Sequence, residues 1–144
     1  MLHKNLLNLH RIVNRQVYQE RRTYQRYDAA HIIGYLNEEE LKDYVPSDNA
    51  IGEEGKSPKP WANAYAYTGT ETDGGTVMPC DRQDDYGDIA NAIIRTRYSA
   101  SQELAIQRHA INGDYEEAPL EFEQYNAWCQ YAVKTAKYWI SAKS

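Results

Sequence analysis

The chain has one phenylalanine and two cysteines, and no apolar run of the ~18 residues that a bilayer-spanning helix requires. Cys80 and Cys129 stand 49 residues apart with neither a Cys-x-x-Cys nor a nearby histidine pair. Small disulfide scaffolds use more cysteine than this, so two reduced thiols are expected. Met1-Leu2-His3-Lys4 opens directly onto an amphipathic pattern rather than onto the apolar core of a signal peptide. The expectation is a protein made in a cytoplasm, with no membrane contact, that stays soluble until it meets a partner.

Catalytic signatures are missing as well. There is no Gly-x-Ser-x-Gly, no phosphate loop, no His-Glu-x-x-His and no calcium loop. The histidines His3, His10, His31 and His109 are scattered, and His3 and His10, two helical turns apart, are too distant to share a metal. Asp81, Asp84, Asp85 and Asp88 cluster, and a carboxylate pair held at the right separation can hydrolyse a glycoside. Clustered aspartates before a helix are more simply explained by capping and solubility. Glu38, Glu39 and Glu40 read as a solvated helix start, because adjacent helical residues do not face one another. No enzyme, cofactor or metal is expected.

What the chain does have is tyrosine, thirteen copies in 144 residues. A tyrosine offers a flat apolar body and a polar tip, which suits surfaces half-buried against a partner. The length fits one domain or one elongated subunit. The net charge of −5 hides an asymmetry: residues 1–27 carry six bases and one acid, whereas residues 28–88 carry fourteen acids and four bases. The basic arm could fold onto the acidic middle, or the two could serve different neighbours.

Leu2, Leu6, Leu9, Val13, Val17, Tyr24 and Tyr27 recur at helical steps, with one skipped turn at Glu20. They predict a helix over 2–27, some 39 Å long at 1.5 Å per residue. Ala29 to Tyr35 is ambiguous between a helix turn and a strand, and Asn37 reads as the cap of a short helix that Pro46 ends. Pro46 to Pro60 is irregular. Trp61, Tyr65 and Tyr67 then fall at alternate positions, as on one face of a strand, with Thr70 to Gly75 as a turn and Thr76 to Met78 as a returning strand. The expected fold class is mainly α: a long N-terminal helix in a basic arm over 1–45, an irregular middle with a small β-hairpin over 46–87, and an antiparallel bundle of about three helices over 88–144.

The C-terminal third carries its own punctuation. Asp85 or Asp88 caps a helix through Ile93, Ser99 and Gln102 form a capping-box pattern, Asn112-Gly113 ends the second helix, and Pro119 opens the third. Phe122, Tyr125, Cys129, Ala132, Ala136 and Trp139 step by three and four along that last helix. Leu104, Ala105 and Ile111 are expected on the inner side of the second, with Ile106 nearer its edge. The candidate core is Ile93, Leu104, Phe122, Tyr125, Trp128 and Trp139.

Three segments of this region, Arg97-Tyr98-Ser99-Ala100-Ser101-Gln102-Glu103-Leu104-Ala105-Ile106-Gln107-Arg108, Glu121-Phe122-Glu123-Gln124-Tyr125-Asn126 and Ala136-Lys137, carry a resemblance. Over residues 88 to 139 the chain resembles small tail-associated structural proteins of tailed phages and prophages of gut bacteria. It departs from their pattern in the longer link from Ile111 to Pro119 and in Trp128 and Trp139. The resemblance implies a non-enzymatic virion component at the tail, baseplate or fibre-attachment point. Its implied partners are other virion proteins and further copies of itself in a symmetric assembly. The candidate interface residues are Leu2, Leu6, Leu9, Val13 and Val17, the arginine strip Arg11, Arg15, Arg22 and Arg26, and the aromatic face Trp61, Tyr65 and Tyr67. The alternative is a small nucleic-acid-binding or regulatory protein that lays the arginine strip along phosphates.

Overall fold

The computed structural model describes residues 13–46 and 59–143. Asn14–Tyr18 (β1) and Tyr24–Asp28 (β2) are strands, so the long helix expected over 2–27 is not formed in the described part of that segment. Its first residues, Leu2, Leu6, Leu9 and Arg11 among them, lie outside the described residues. Val13, Val17 and Tyr24 give too few turns to separate a helical step from a strand, and valine and tyrosine both suit a pleated surface. Pairing decides the matter. β1 runs antiparallel to Ala64–Gly69 (β5), from Asn14 opposite Gly69 to Tyr18 opposite Tyr65.

The second helix expected near the front is also replaced. Asn37 takes a left-handed backbone with φ of 60°, a conformation asparagine tolerates, and the chain turns there instead of starting a helix. His31–Gly34 is β3 and Glu39–Leu41 is β4. β4 joins the other edge of β5, with Glu39 opposite Ala66 and Leu41 opposite Ala64. Thr76–Pro79 (β6) returns after the turn as expected, but β5 and β6 do not form a hairpin ladder. The strand orders are β1-β5-β4 in one sheet and β2-β3-β6 in the other. Six antiparallel strands together with three helices make the described chain a mixed α and β fold, not a mainly α one.

The helices are Tyr86–Arg95 (α1), Ala100–Asn112 (α2) and Ala118–Lys143 (α3). Asp85 caps α1 by accepting from the Asp88 amide. At α2 both halves of the capping box form, Ser99 Oγ with the Gln102 amide at 3.1 Å and Gln102 Oε1 with the Ser99 amide at 2.7 Å. Gly113 closes α2 in the left-handed conformation, φ 64°, which costs a glycine no Cβ clash.

The described residues divide into two compact units, 13–24 with 33–46 and 59–77, and 25–32 with 78–143. The first contains the β1-β5-β4 sheet, with Tyr35, Leu36, Ala64, Ala66 and Tyr67 buried in it. In the second, α3 packs against both α1 and α2. Ile93, Tyr125, Trp128 and Trp139 are buried there, and Trp128 Nε1 donates to the Ile93 carbonyl at 3.2 Å. Phe122 is only half-buried. Leu104 does not belong to the core: it is 65% exposed, Ile111 is 83% exposed, and Ile106 is the buried residue of α2. Ile106 lies about 160° around the helix from Leu104. Glu103 fixes that rotation, since its carboxylate accepts from the Tyr125 hydroxyl and pairs with Arg95.

Candidate functional site

The richest side-chain constellation in the first unit is built from tyrosines. Tyr67 on β5 is fully buried, and it meets Tyr18 at the end of β1 and Tyr35 just after β3. Their ring centroids lie 5.9 to 6.2 Å apart, with the Tyr35 pairs edge to face. Arg22, in the loop after β1, places its guanidinium over two of these rings, 4.7 Å from the Tyr18 centroid and 4.4 Å from that of Tyr35. A guanidinium on an aromatic face is attracted by the ring quadrupole and remains free to donate at its edge. Its Nη2 donates to the Tyr35 hydroxyl at 2.9 Å.

Every hydroxyl of the trio is engaged. Tyr35 donates to Asp73 Oδ2 at 2.6 Å, Tyr18 donates to the Asp73 carbonyl at 2.5 Å, and Tyr67 donates to Glu38 Oε1 at 2.7 Å. The Tyr67 oxygen in turn accepts from the Arg22 backbone amide at 2.8 Å. Asp73 Oδ1 accepts from the Gly75 amide at 2.9 Å and so shapes the turn that carries it. Burial pushes the Tyr35 hydroxyl up to about 12, aided by its hydrogen bond to Asp73. Burial and the bond to Glu38 push Tyr67 up as well, and burial together with the Asp73 charge raises Tyr18. For Asp73 burial pulls upward, but the hydrogen bonds from Tyr35 and Gly75 and the charge of Arg22 outweigh it and hold the carboxyl below its ordinary range. Such an assembly stores no reactive proton near neutral pH. Its chemistry is that of a clamp tying the 19–23 loop and the 70–75 turn to the sheet.

Two of the four arginines of the strip, Arg15 and Arg22, are engaged inside this unit, as is the neighbouring Arg21. Arg15 faces Glu39 at 3.5 Å, Arg21 pairs with Glu38 at 3.0 Å, and Arg22 sits in the tyrosine cage. Arg26 is exposed on β2, Val13 and Val17 flank and enter β1, and Arg11 lies outside the described residues. Among the described residues, Arg15 and Arg21 therefore meet Glu39 and Glu38, as in one of the two arrangements that the charge asymmetry allowed. Nor do the three aromatic residues share one patch: Tyr67 is buried, Tyr65 is half-buried on β5, and Trp61 packs on Tyr44 at 5.2 Å before the strand begins.

In the second unit two members of the aspartate cluster, Asp85 and Asp88, are committed to structure, and Asp81 and Asp84 are exposed. Asp85 caps α1, and Asp88 accepts from Arg82 Nε at 3.2 Å and from Arg82 Nη2 at 3.1 Å. Cys80 is buried beside them, and burial first, then Asp88, Asp81 and Asp85, push its thiol up and away from the reactive thiolate. Among the described residues no group of three His, Cys, Asp or Glu side chains is placed to hold a metal ion. No helix among them is long and apolar enough to cross a membrane.

No known protein family, curated protein or solved structure matches this chain. Its role is therefore argued from its own residues. Tyr18, Tyr35, Glu38 and Asp73 were not legible as a site in the sequence; the signal that pointed towards them was the surplus of tyrosine over phenylalanine, because a buried tyrosine needs a partner for its hydroxyl. Among the exposed residues of the second unit are several large apolar side chains. Leu104 and Ile111 lie two turns apart on one side of α2, and Leu120 is exposed near the start of α3.

Proposed function

We propose that this chain is a non-enzymatic virion structural protein of a tailed bacteriophage, a tail, baseplate or fibre-attachment component that works through subunit interfaces. The phage part of the reading rests on the resemblance over residues 88–139. The assembly part rests on one observation, the outward-facing pair Leu104 and Ile111 on α2. α2 already turns Ile106 inward, so these two large side chains serve no packing within the unit and gain only when a neighbour covers them. Full burial of such a side chain contributes about 1.5–3 kcal/mol, a gain that repeats at every copy in a symmetric ring. The alternative, an arginine strip laid on nucleic acid, is weakened by the engagement of two of its members, Arg15 with Glu39 and Arg22 with the tyrosines, while Arg26 stays exposed.

Light scattering on the purified chain at low and high salt, with and without a DNA duplex, tests this reading. A defined oligomer that ignores the duplex and dissociates in the Leu104→Ser/Ile111→Ser variant is the expected outcome. A monomer that binds duplex at low salt and releases it at high salt overturns the assembly part. Absence of the protein from purified phage particles, by mass spectrometry, overturns the virion part.

A further inference from the structure

A cavity of about 390 Å³ opens between α2 and α3, and Arg97, Gln102, His109, Glu121 and Gln124 stand in its wall. Arg97 lies in the link before α2, and its guanidinium rests on the Trp128 indole, 3.6 Å from the ring centroid. That indole has little freedom. It stacks on Tyr131 at 4.8 Å with 23° between the planes, and its Nε1 is fixed on the Ile93 carbonyl at 3.2 Å. The guanidinium is thus held over a fixed platform on an otherwise exposed residue, with its N–H groups left to act.

No acceptor among the described residues meets those groups. Arg15, Arg21, Arg82 and Arg95 each face a carboxylate and Arg22 donates to Tyr35, whereas Arg97, like Arg26 and Arg108, meets no carboxylate among the described residues; it differs from those two in lying over an aromatic ring in the wall of a cavity. Beside it, Gln102 Oε1 is occupied by the Ser99 amide at 2.7 Å, which leaves its NH₂ as the free end of the side chain. Across the cavity, hydrogen bonds from Tyr115 and then His109 hold the Glu121 carboxyl below its ordinary range, so that wall is anionic.

We propose that this cavity binds a carboxylate, with Arg97 as its bidentate partner and the Gln102 amide as a second donor. The guanidinium fork matches the two oxygens of a carboxylate in one plane. A phosphate dianion would bring a second negative charge towards Glu121 with a single guanidinium to offset it, so the site selects the singly charged group. The carboxylate belongs either to an aspartate or glutamate side chain of a neighbouring protein or to a small free acid. The inference stands independently of the assembly reading, since it uses neither Leu104 nor Ile111.

Nuclear magnetic resonance titration at constant ionic strength tests it with three probes: N-acetyl-glutamic acid α-amide, propionate and inorganic phosphate. The Trp128 indole N–H and the amides of Gln102, His109 and Gln124 are expected to shift saturably with the two carboxylates and not with phosphate. Arg97→Gln should abolish the response. Arg97→Lys, which keeps the charge and loses the fork, should weaken it at least about ten-fold. Tighter binding of the glutamate amide identifies a protein side chain as the source, and tighter binding of propionate identifies a small acid. Shifts that do not saturate, an equal response to phosphate, or a response that survives Arg97→Gln overturns the proposal.

Discussion

Replacing Tyr67 with phenylalanine removes one oxygen from the centre of the first unit and leaves the buried ring in place. That oxygen donates to the Glu38 carboxylate at 2.7 Å and accepts from the Arg22 amide at 2.8 Å. A hydrogen bond to a charged group contributes about 1.5–3 kcal/mol, and a donor left without a partner costs about 1–3 kcal/mol when fully buried. Glu38 keeps Arg21 as a partner and the Arg22 residue is half-buried, so water recovers part of the loss. A net destabilisation of about 2–3 kcal/mol follows. With an unfolding entropy of about 2.1 cal/mol/K per residue, that lowers Tm by roughly 7–10 °C if the chain melts as one. Thermal melts followed by circular dichroism measure it. Tyr65→Phe is the control, because the Tyr65 hydroxyl makes no hydrogen bond among the described residues and its loss should leave Tm nearly unchanged. Equal Tm values for Tyr67→Phe and wild type would refute the view of the tyrosine cage as a clamp.

Further perturbations probe other parts of the same argument. In dilute solution Ile106→Ala should cost about 2–4 kcal/mol in urea denaturation, whereas Leu104→Ala and Ile111→Ala should stay within about 0.5 kcal/mol of wild type; the reverse order would restore the inner face expected from sequence. Gly74→Ala should destabilise far more than Gly113→Ala. Both glycines have positive φ, but a Cβ at Gly74 would lie 2.9 Å from the Tyr67 carbonyl oxygen, whereas one at Gly113 meets nothing within 4 Å. The tyrosine cage also makes stability depend on alkali. Tyr18, Tyr35 and Tyr67 have folded pKa values above their ordinary 10.0, so the stability they carry is whole below pH 10 and is lost as pH rises towards the Tyr35 value of about 12. Tyrosinate absorbance and circular dichroism should therefore change together in that window, and tyrosines that all ionise near pH 10 without unfolding would contradict the geometry.

The parts of this fold that could be read in the sequence are those whose signals are local. A capping box is complete within four residues, so Ser99 and Gln102 announced α2, and Asn112-Gly113 announced its end, before any packing was known. The rotation of that helix was not local. Leu104 and Ile106 are equally apolar, and the choice between them was made by Glu103, whose partners Arg95 and Tyr125 lie 8 and 22 residues away. The N-terminal error has the same origin on a larger scale. Whether Val17 and Tyr18 join a helix or a strand depends on Ala66 and Tyr65, which pair with them across nearly fifty residues of chain. Charge asymmetry was the one long-range signal in the sequence, and two of the described arginines answer to it, Arg15 with Glu39 and Arg21 with Glu38. It could not say that Arg22 would choose tyrosines instead, because a guanidinium on an aromatic face needs no opposite charge. The same preference recurs at Arg97 on Trp128, where the ring accounts for the flat face of the guanidinium and not for its N–H edge. Arg97 is exposed, but its guanidinium is held over a fixed ring in the wall of a cavity, and that placement carries the case for a carboxylate site beside α2.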